Sequence, residues 1–107
     1  MNDIISKLSD RERQTIFECL FAAEQDEFFP EWEFQTLFGM TRSQLADVRE
    51  KWPEVDTTQP DVGAAIVNSM NHLLGYPHAQ DGRWERYISV QPDGVQLTMD
   101  KLIALGL

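Results

Sequence analysis

The stretch EWEFQTLFGMTRSQLADVREKW, residues 31–52, decides how this chain folds, because it predicts two short helices joined at Gly39. Pro30 suits the first position of the first helix, since its ring fixes φ near the helical value. Gly39 can adopt the left-handed conformation that ends that helix. Thr41 and Gln44 then fit a capping box, in which two side chains satisfy backbone N–H groups at the start of the second helix.

The apolar residues of this stretch resemble those of a helix-turn-helix motif in their spacing. With the motif numbered from Glu31, Gly39 falls at the turn, and the usual apolar positions hold Phe34, Phe38, Met40, Leu45 and Val48. The resemblance covers about 22 of the 107 residues. It departs from the pattern at Gln35, because that position normally holds a small residue where the two helices cross closely. Two ordinary helices that meet at a glycine turn are the alternative interpretation.

The resemblance implies that the second helix reads DNA, through side chains that suit base edges and phosphates. The residues expected to do so are Thr41, Arg42, Ser43, Gln44 and Arg49. The charge of the chain opposes this function, because 18 acidic residues against 9 basic ones give a net charge of −9, whereas phosphate contacts need cations. We therefore expect nucleic-acid binding only from a homodimer, in which two such modules act together.

The segments on either side of this stretch predict two longer helices. Ser9 and Glu12 form a second capping-box pattern, and apolar residues follow from Ile16 at helical spacing. Pro60 is placed to begin another helix, and the apolar residues of 60–74 recur at helical spacing. Together with the two short helices, these segments give four main helices.

The chain after residue 83 changes from helical spacing to alternation of apolar and polar residues. Residues 84–90 alternate, residues 92–94 (Pro-Asp-Gly) are a turn signal, and residues 95–99 alternate again. This pattern predicts an antiparallel β-hairpin followed by a short terminal helix. The predicted fold is a single α+β domain over residues 1–107, mostly helical, with the hairpin at its C-terminus. The predicted core contains Ile16, Phe17, Leu20, Phe34, Leu37, Leu45, Val48, Ile66, Met70, Leu73 and Ile88.

The cysteine content and the absence of targeting signals indicate a cytoplasmic protein. Cys19 is the only cysteine, so no intrachain disulfide can form. Its neighbours on the helix are apolar, which predicts a buried thiol with a raised pKa. The N-terminal residues do not resemble a signal peptide, and no apolar run approaches the ~20 residues that span a bilayer.

Acidic residues concentrate between residues 10 and 33, and they suggest a binding surface. The candidate partner-binding residues are Glu24, Asp26, Glu27, Phe28, Phe29, Glu31 and Glu33. One interpretation is a solvated face that keeps the protein in solution. The other is an electrostatic footprint for a basic protein, with exposed Phe28 or Phe29 as an anchor. Toxin-neutralising inhibitors are similar in composition.

A group of polar side chains with directional chemistry follows in the second long helix and the loop after it. It comprises Asn68, Asn71, His72, Tyr76, His78 and Trp84. Asn68 and His72 are i, i+4 neighbours on one helix face. We expect His72 or His78 to pack against Asn68, Tyr76 or Trp84, either to fix the loop or to orient a ligand. The histidines lack the regular spacing of a zinc site, so no metal ligand is predicted.

The sequence contains no set of residues that predicts catalysis. It lacks the Gly-x-Ser-x-Gly elbow, a glycine-rich phosphate loop and His-Glu-x-x-His. We therefore expect no catalytic residues, no cofactor and no enzymatic activity. The predicted function is non-catalytic binding of a basic protein, as an inhibitor or immunity-type protein. The alternative is a winged-helix-like DNA-binding regulator, in which the hairpin forms the wing.

Overall fold

The computed structural model of this chain describes residues 3–25, 28–75, 82 and 84–107, and every regular element in these ranges is an α-helix. The helices are α1 (Asp3–Ser6), α2 (Asp10–Glu24), α3 (Glu31–Phe38), α4 (Arg42–Lys51), α5 (Pro60–Gly75), α6 (Trp84–Tyr87) and α7 (Pro92–Ala104). The predicted α+β class is therefore wrong, because these ranges contain no strand. None of the helices described combines the length and the apolar content needed to cross a bilayer.

The predicted C-terminal hairpin is replaced by two helices, α6 and α7. Pro92 lies at the start of α7 and Asp93 in its first turn, where a fixed φ and a negative charge favour a helix. Val95, Met99 and Leu102 are buried at i, i+4 and i+7, which is the spacing of one helix face. The Pro-Asp-Gly signal thus begins a helix, and no turn joins two strands here.

Close packing at Gly94 also favours the helical arrangement. A Cβ atom at Gly94 would lie 3.0 Å from the Cβ atom of Val90, so the first turn of α7 approaches the preceding segment closely. The indole Nε1 of Trp84 donates to the carbonyl of Val90 at 2.8 Å and holds the same segment from the other side. In an extended strand these residues would lie too far apart to make such contacts. The contacts fix the connection between α6 and α7.

The signals from the two capping boxes, Gly39 and Pro60 are confirmed. Ser9 and Thr41 each cap a helix within a complete capping box. Gly39 has φ of 69°, the left-handed conformation expected at the end of α3. Pro60 is the first residue of α5, whereas Pro30 is the N-cap of α3 and precedes its first helical residue.

The core lies between α5 and α2, the two longest helices. α5 packs on α2, α3, α4 and α7, and α2 packs on α4, α6 and α7 as well. Nine residues of the predicted core are buried: Ile16, Leu20, Phe34, Leu45, Val48, Ile66, Met70, Leu73 and Ile88. Phe17 and Leu37 are half-buried at its edge. The radius of gyration of 12.7 Å agrees with the ~13 Å expected for a chain of this length.

The single cysteine is part of this core. Cys19 is fully buried on α2. Burial, and to a smaller extent the charge of Glu18, raise the pKa of its thiol. The prediction of a buried thiol with a raised pKa is confirmed.

Ser69 in the middle of α5 provides a test of this core. Its hydroxyl is buried and has no hydrogen-bond partner among the described residues. We expect Ser69→Ala to raise the free energy of unfolding by about 1 kcal/mol, since it removes an unsatisfied polar group and improves helix propensity. Urea denaturation measures the change. In the control Thr98→Val the lost hydroxyl is hydrogen-bonded to the Gly94 carbonyl at 3.0 Å, so this variant should be destabilised. A destabilised Ser69→Ala would contradict the packing described.

The ion pair between Glu12 and Lys101 predicts a pH-dependent contribution to stability. The Lys101 ammonium lies 2.8 Å from the Glu12 carboxylate and, together with the backbone N–H of Ser9, holds the pKa of that carboxyl below its usual range. A lowered pKa means that the contribution is present above about pH 4.3, the unfolded value, and is lost as the pH falls through the folded value.

We therefore expect Lys101→Gln to reduce the free energy of unfolding at pH 7 by less than about 1 kcal/mol, because both side chains are partly solvated. The difference from the unsubstituted protein should shrink as the pH is lowered from 5 to about 3. Chemical denaturation across this range measures it. Arg86→Gln, at an exposed residue of α6, is the control. A difference that does not change with pH would contradict the expectation.

Candidate functional site

The guanidinium of Arg42, the first residue of α4, lies across the C-terminal end of α2. Its Nη1 donates to the carbonyls of Glu24 at 2.7 Å and Gln25 at 3.0 Å. Its Nη2 donates to the carbonyl of Phe29 at 2.9 Å, and its Nε donates to the carboxylate of Glu31 at 2.8 Å. One side chain therefore holds the end of α2, the connection after it and the start of α3.

The position of Arg42 stabilises the C-terminal end of α2 electrostatically. The last carbonyls of a helix lack partners and carry partial negative charge, and α2 has no basic residue in its last turn. Arg42 supplies the cation from another helix. Its guanidinium also stacks on the ring of Phe34 at 4.3 Å, and its side chain is 16% exposed. This arrangement is structural, because the planar guanidinium uses its donors on the protein itself.

Arg49 makes a second connection between α4 and α2. Its Nε and Nη2 donate to the two carboxylate oxygens of Glu24 at 2.7 and 3.0 Å. This bidentate geometry is the strong form of an ion pair, and the hydrogen bond to Glu24 raises the pKa of Arg49. Glu24 is thus bound twice, through its backbone by Arg42 and through its side chain by Arg49.

Most side chains of the DNA-reading alternative are engaged in the fold. Arg42 and Arg49 bind α2, as described above. Thr41 and Gln44 bond each other's backbone N–H groups in the capping box, at 2.8 and 3.1 Å. Ser43 is exposed. Four of the five residues would have to leave these partners to reach a base or a phosphate, which weighs against the alternative.

The packing of α3 and α4 also differs from the helix-turn-helix expectation. α3 packs mainly on α5, whereas α4 packs mainly on α2. Gln35, where the sequence departs from the motif, is exposed. Its exposure agrees with the alternative interpretation of two ordinary helices that meet at a glycine turn.

The expected aromatic anchors of the partner-binding surface are buried. Phe28 is 2% exposed and Phe29 is 0% exposed. The Phe29 ring packs edge-on against Phe38 with centroids 5.1 Å apart, and the Phe28 ring packs against Tyr87 at 5.7 Å. The prediction of exposed anchors is wrong, because these rings close the core between α3 and α6.

The acidic residues of the candidate partner-binding surface have different environments. Glu24 is half-buried in its ion pair with Arg49. Glu31 pairs with Arg42 but keeps 77% of its side chain exposed. Glu33 is half-buried, and residues 26 and 27 lie outside the described residues.

Trp32 is the prominent surface residue that the sequence analysis missed. It is 78% exposed on α3, between Glu31 and Glu33. The signal was present, because Phe34 and Phe38 are i, i+4 neighbours on the buried face and Trp32 lies about 200° from Phe34 around the helix. Trp32 therefore belongs to the solvent face of α3.

The predicted polar cluster is built differently from the expectation. His72 Nε2 lies 2.8 Å from the carbonyl of Leu37, and Asn68 Nδ2 donates to the carbonyl of Phe38 at 3.4 Å. Both side chains of α5 thus satisfy the end of α3, which has no basic residue in its last turn. The His72 ring packs on Phe38 with centroids 5.3 Å apart.

The other members of the predicted cluster do not join this arrangement. Trp84 bonds to Val90, and Asn71 is exposed. Residues 76 and 78, a tyrosine and a histidine, lie outside the described residues. Among the described residues, Asn68 and His72 thus bond to the end of α3, and no hydrogen bond or ring contact joins His72 to Trp84.

A groove on another surface combines apolar and acidic side chains, and we call it the acidic groove. It consists of two adjoining depressions of about 230 and 220 Å³, both lined by Asp47 and Val48 of α4. Val55 and Val62 contribute further apolar lining, and its acidic residues include Asp56 and Asp61. The groove lies between α4, the loop after it and the start of α5.

Among the described residues, no group of three or more His, Cys, Asp or Glu side chains is placed to hold a metal ion. No protein-family model, curated protein or solved structure matches the chain.

The geometry of Arg42 predicts a large effect of a conservative substitution. We expect Arg42→Lys to reduce the free energy of unfolding by about 2–4 kcal/mol, because a single ammonium cannot reach all the carbonyls that the guanidinium binds. Urea denaturation measures the loss. Arg11→Lys, at an exposed residue of α2, is the matched control and should change little. Equal effects of the two substitutions would contradict the structural role of Arg42.

Proposed function

We propose that this protein is a non-catalytic binding domain for a basic protein, and that the exposed face of α3 is its docking surface. The observation that carries the proposal is Trp32, which is 78% exposed. Trp32 replaces Phe28 and Phe29 as the anchor of the candidate partner-binding surface. By its composition, the domain is proposed to act as an inhibitor or immunity-type protein.

The chemistry of tryptophan supports its role as an anchor. Tryptophan is enriched among the few residues that supply most of the binding energy of an interface. Burial of this side chain in a partner removes a large apolar area from water. Single apolar residues on a surface are common, but Trp32 lies on a helix whose two ends are both fixed, at Glu31 by Arg42 and at Leu37 by His72. A fixed helix loses little conformational freedom on binding.

The charge of the chain supports a basic partner. The net charge is −9, and the Glu31 carboxylate beside Trp32 is 77% exposed although it pairs with Arg42. Such a field accelerates association with a positively charged surface and penalises acidic partners. Electrostatic attraction thus selects the partner, and Trp32 supplies the anchor that it buries.

The proposal is tested by retention of partners from a native extract at about 50 mM salt and at about 300 mM salt, where the charge interaction is screened. We expect a basic protein to be retained by the unsubstituted domain and lost from Trp32→Ala. With the purified partner, Trp32→Ala should weaken binding by about 30-fold or more, which corresponds to ~2 kcal/mol.

Leu97→Ala is the matched control for this test. Leu97 is 71% exposed on α7, so its substitution removes a similarly exposed apolar side chain from a different helix. It should leave the affinity unchanged. Retention of no protein, or equal retention by Trp32→Ala, would refute the proposal. Salt-sensitive binding of duplex DNA by the unsubstituted domain would instead favour the DNA-binding alternative.

A further inference from the structure

We propose that the acidic groove is a second docking surface, and that it binds a linear segment of another protein that carries two or more arginine or lysine residues. The inference goes beyond the role of Trp32, because it concerns α4, the loop after it and the start of α5. It also specifies the chemistry of the occupant, a cationic segment with aliphatic side-chain stems.

The size of the groove favours side chains of a peptide. The two depressions have volumes of about 230 and 220 Å³. Each is therefore suited to one or two side chains. Because both depressions share Asp47 and Val48, a continuous segment can place successive side chains in the two of them.

The lining of the groove matches the two parts of an arginine or lysine side chain. Val48 is 9% exposed at the floor, and Val55 and Val62 are half-buried beside it. The aliphatic stem of a long basic side chain packs on such a surface while its charged group reaches outwards. Asp47 and Asp61 are exposed and line the same depression, so a carboxylate is available where the charged group would emerge.

The charge of the groove is poorly compensated within the protein. The described carboxylates of Glu12, Glu24 and Glu31 pair with Lys101, Arg49 and Arg42. Within the described part of the chain, Asp47 and Asp61 have no basic group within the 4.0 Å limit of an ion pair. Lys51 is the one basic residue among those that line the two depressions.

One carboxylate of the groove is also held in a fixed orientation. The hydroxyl and the backbone N–H of Thr58 donate to the same oxygen of Asp56, at 2.6 and 3.0 Å. The side chain of Gln59 also hydrogen-bonds this carboxylate, so Asp56 contributes a negative charge in a fixed position to the groove. Because no bidentate contact is required, either an arginine or a lysine side chain suits the site.

The test uses a short synthetic peptide in which arginine alternates with valine, added to the full-length ¹⁵N-labelled protein at about 50 mM salt. Amide chemical shifts locate the binding site, and their titration gives the affinity. We expect shifts within residues 40–62 and saturable binding. Two matched peptides, with glutamate in place of arginine or serine in place of valine, should bind at least about tenfold more weakly, because charge and apolar contact both contribute.

Two variants distinguish a specific groove from the net charge of the protein. Asp47→Asn/Asp61→Asn should weaken binding of the arginine–valine peptide by about tenfold. Glu85→Gln/Asp93→Asn removes two charges from exposed residues of α6 and α7 and should have a much smaller effect. Asp61 lies in the first turn of α5, where a negative charge is favourable. If Asp47→Asn/Asp61→Asn melts below the assay temperature, the peptide affinity of the single variant Asp47→Asn is measured in its place, because Asp47 is exposed within α4.

The inference is overturned if the shifts fall outside the groove, if both double variants weaken binding equally, or if no binding occurs. It is also overturned if calcium chloride alone shifts the same amides more than potassium chloride of equal ionic strength, because the groove would then be a cation site. Trp32→Ala separates this surface from the proposed function, since that substitution should leave peptide binding unchanged. The groove can therefore fail this test while the role of Trp32 stands, and the converse also holds.

Discussion

The guanidinium of Arg42 satisfies the carbonyls at the end of α2, and the arrangement of α2, α3 and α4 depends on this interaction. The same solution recurs along the chain. The Arg13 guanidinium on α2 donates to the carbonyls of Ile5 and Ser6 at the end of α1, at 3.2 and 3.5 Å. Asn68 and His72 do the same for α3. None of these three helices has a basic residue in its own last turn, so each receives polar or cationic side chains from another helix. Helix ends thereby become tertiary contacts, and they fix how neighbouring helices are oriented.

The pairing of basic residues within the protein also determines the charge of its surface. Arg13, Arg42, Arg49 and Lys101 all bind groups of the protein itself. The chain has nine basic residues in total, so five remain against 18 acidic residues. The excess negative charge is therefore concentrated on residues that face solvent. A surface of this kind supports the proposal of a cationic protein partner, because negative charge attracts cationic groups and repels phosphates.

The sequence predicted the features that depend on neighbouring residues. Both capping boxes and the Gly39 turn rest on contacts within a few residues, and all of them are present. The predictions that failed depend on distant contacts. Alternation over residues 84–90 does not by itself distinguish a strand from a short helix, and the two helices that replace the hairpin pack on the distant helices α2 and α5. The burial of Phe28 and Phe29 follows from packing against α3, α5 and α6. The candidate site was also predicted only in part. The acidic segment was recognised from the sequence, but its arginine partners were not, because they lie at sequence separations of 11 and 25 residues.

The direction of the helix-end contacts has a consequence for how the protein forms on the ribosome. In each case the helix end comes first in the chain and the side chain that satisfies it comes later, since Arg13 follows α1, Arg42 follows α2, and Asn68 and His72 follow α3. Synthesis proceeds from the N-terminus, so the end of α2 stays hydrated until the start of α4 emerges, and the end of α3 stays hydrated until α5 emerges. Each of these three helices is completed by a later one, so its C-terminal end cannot be satisfied before that later helix has been synthesised.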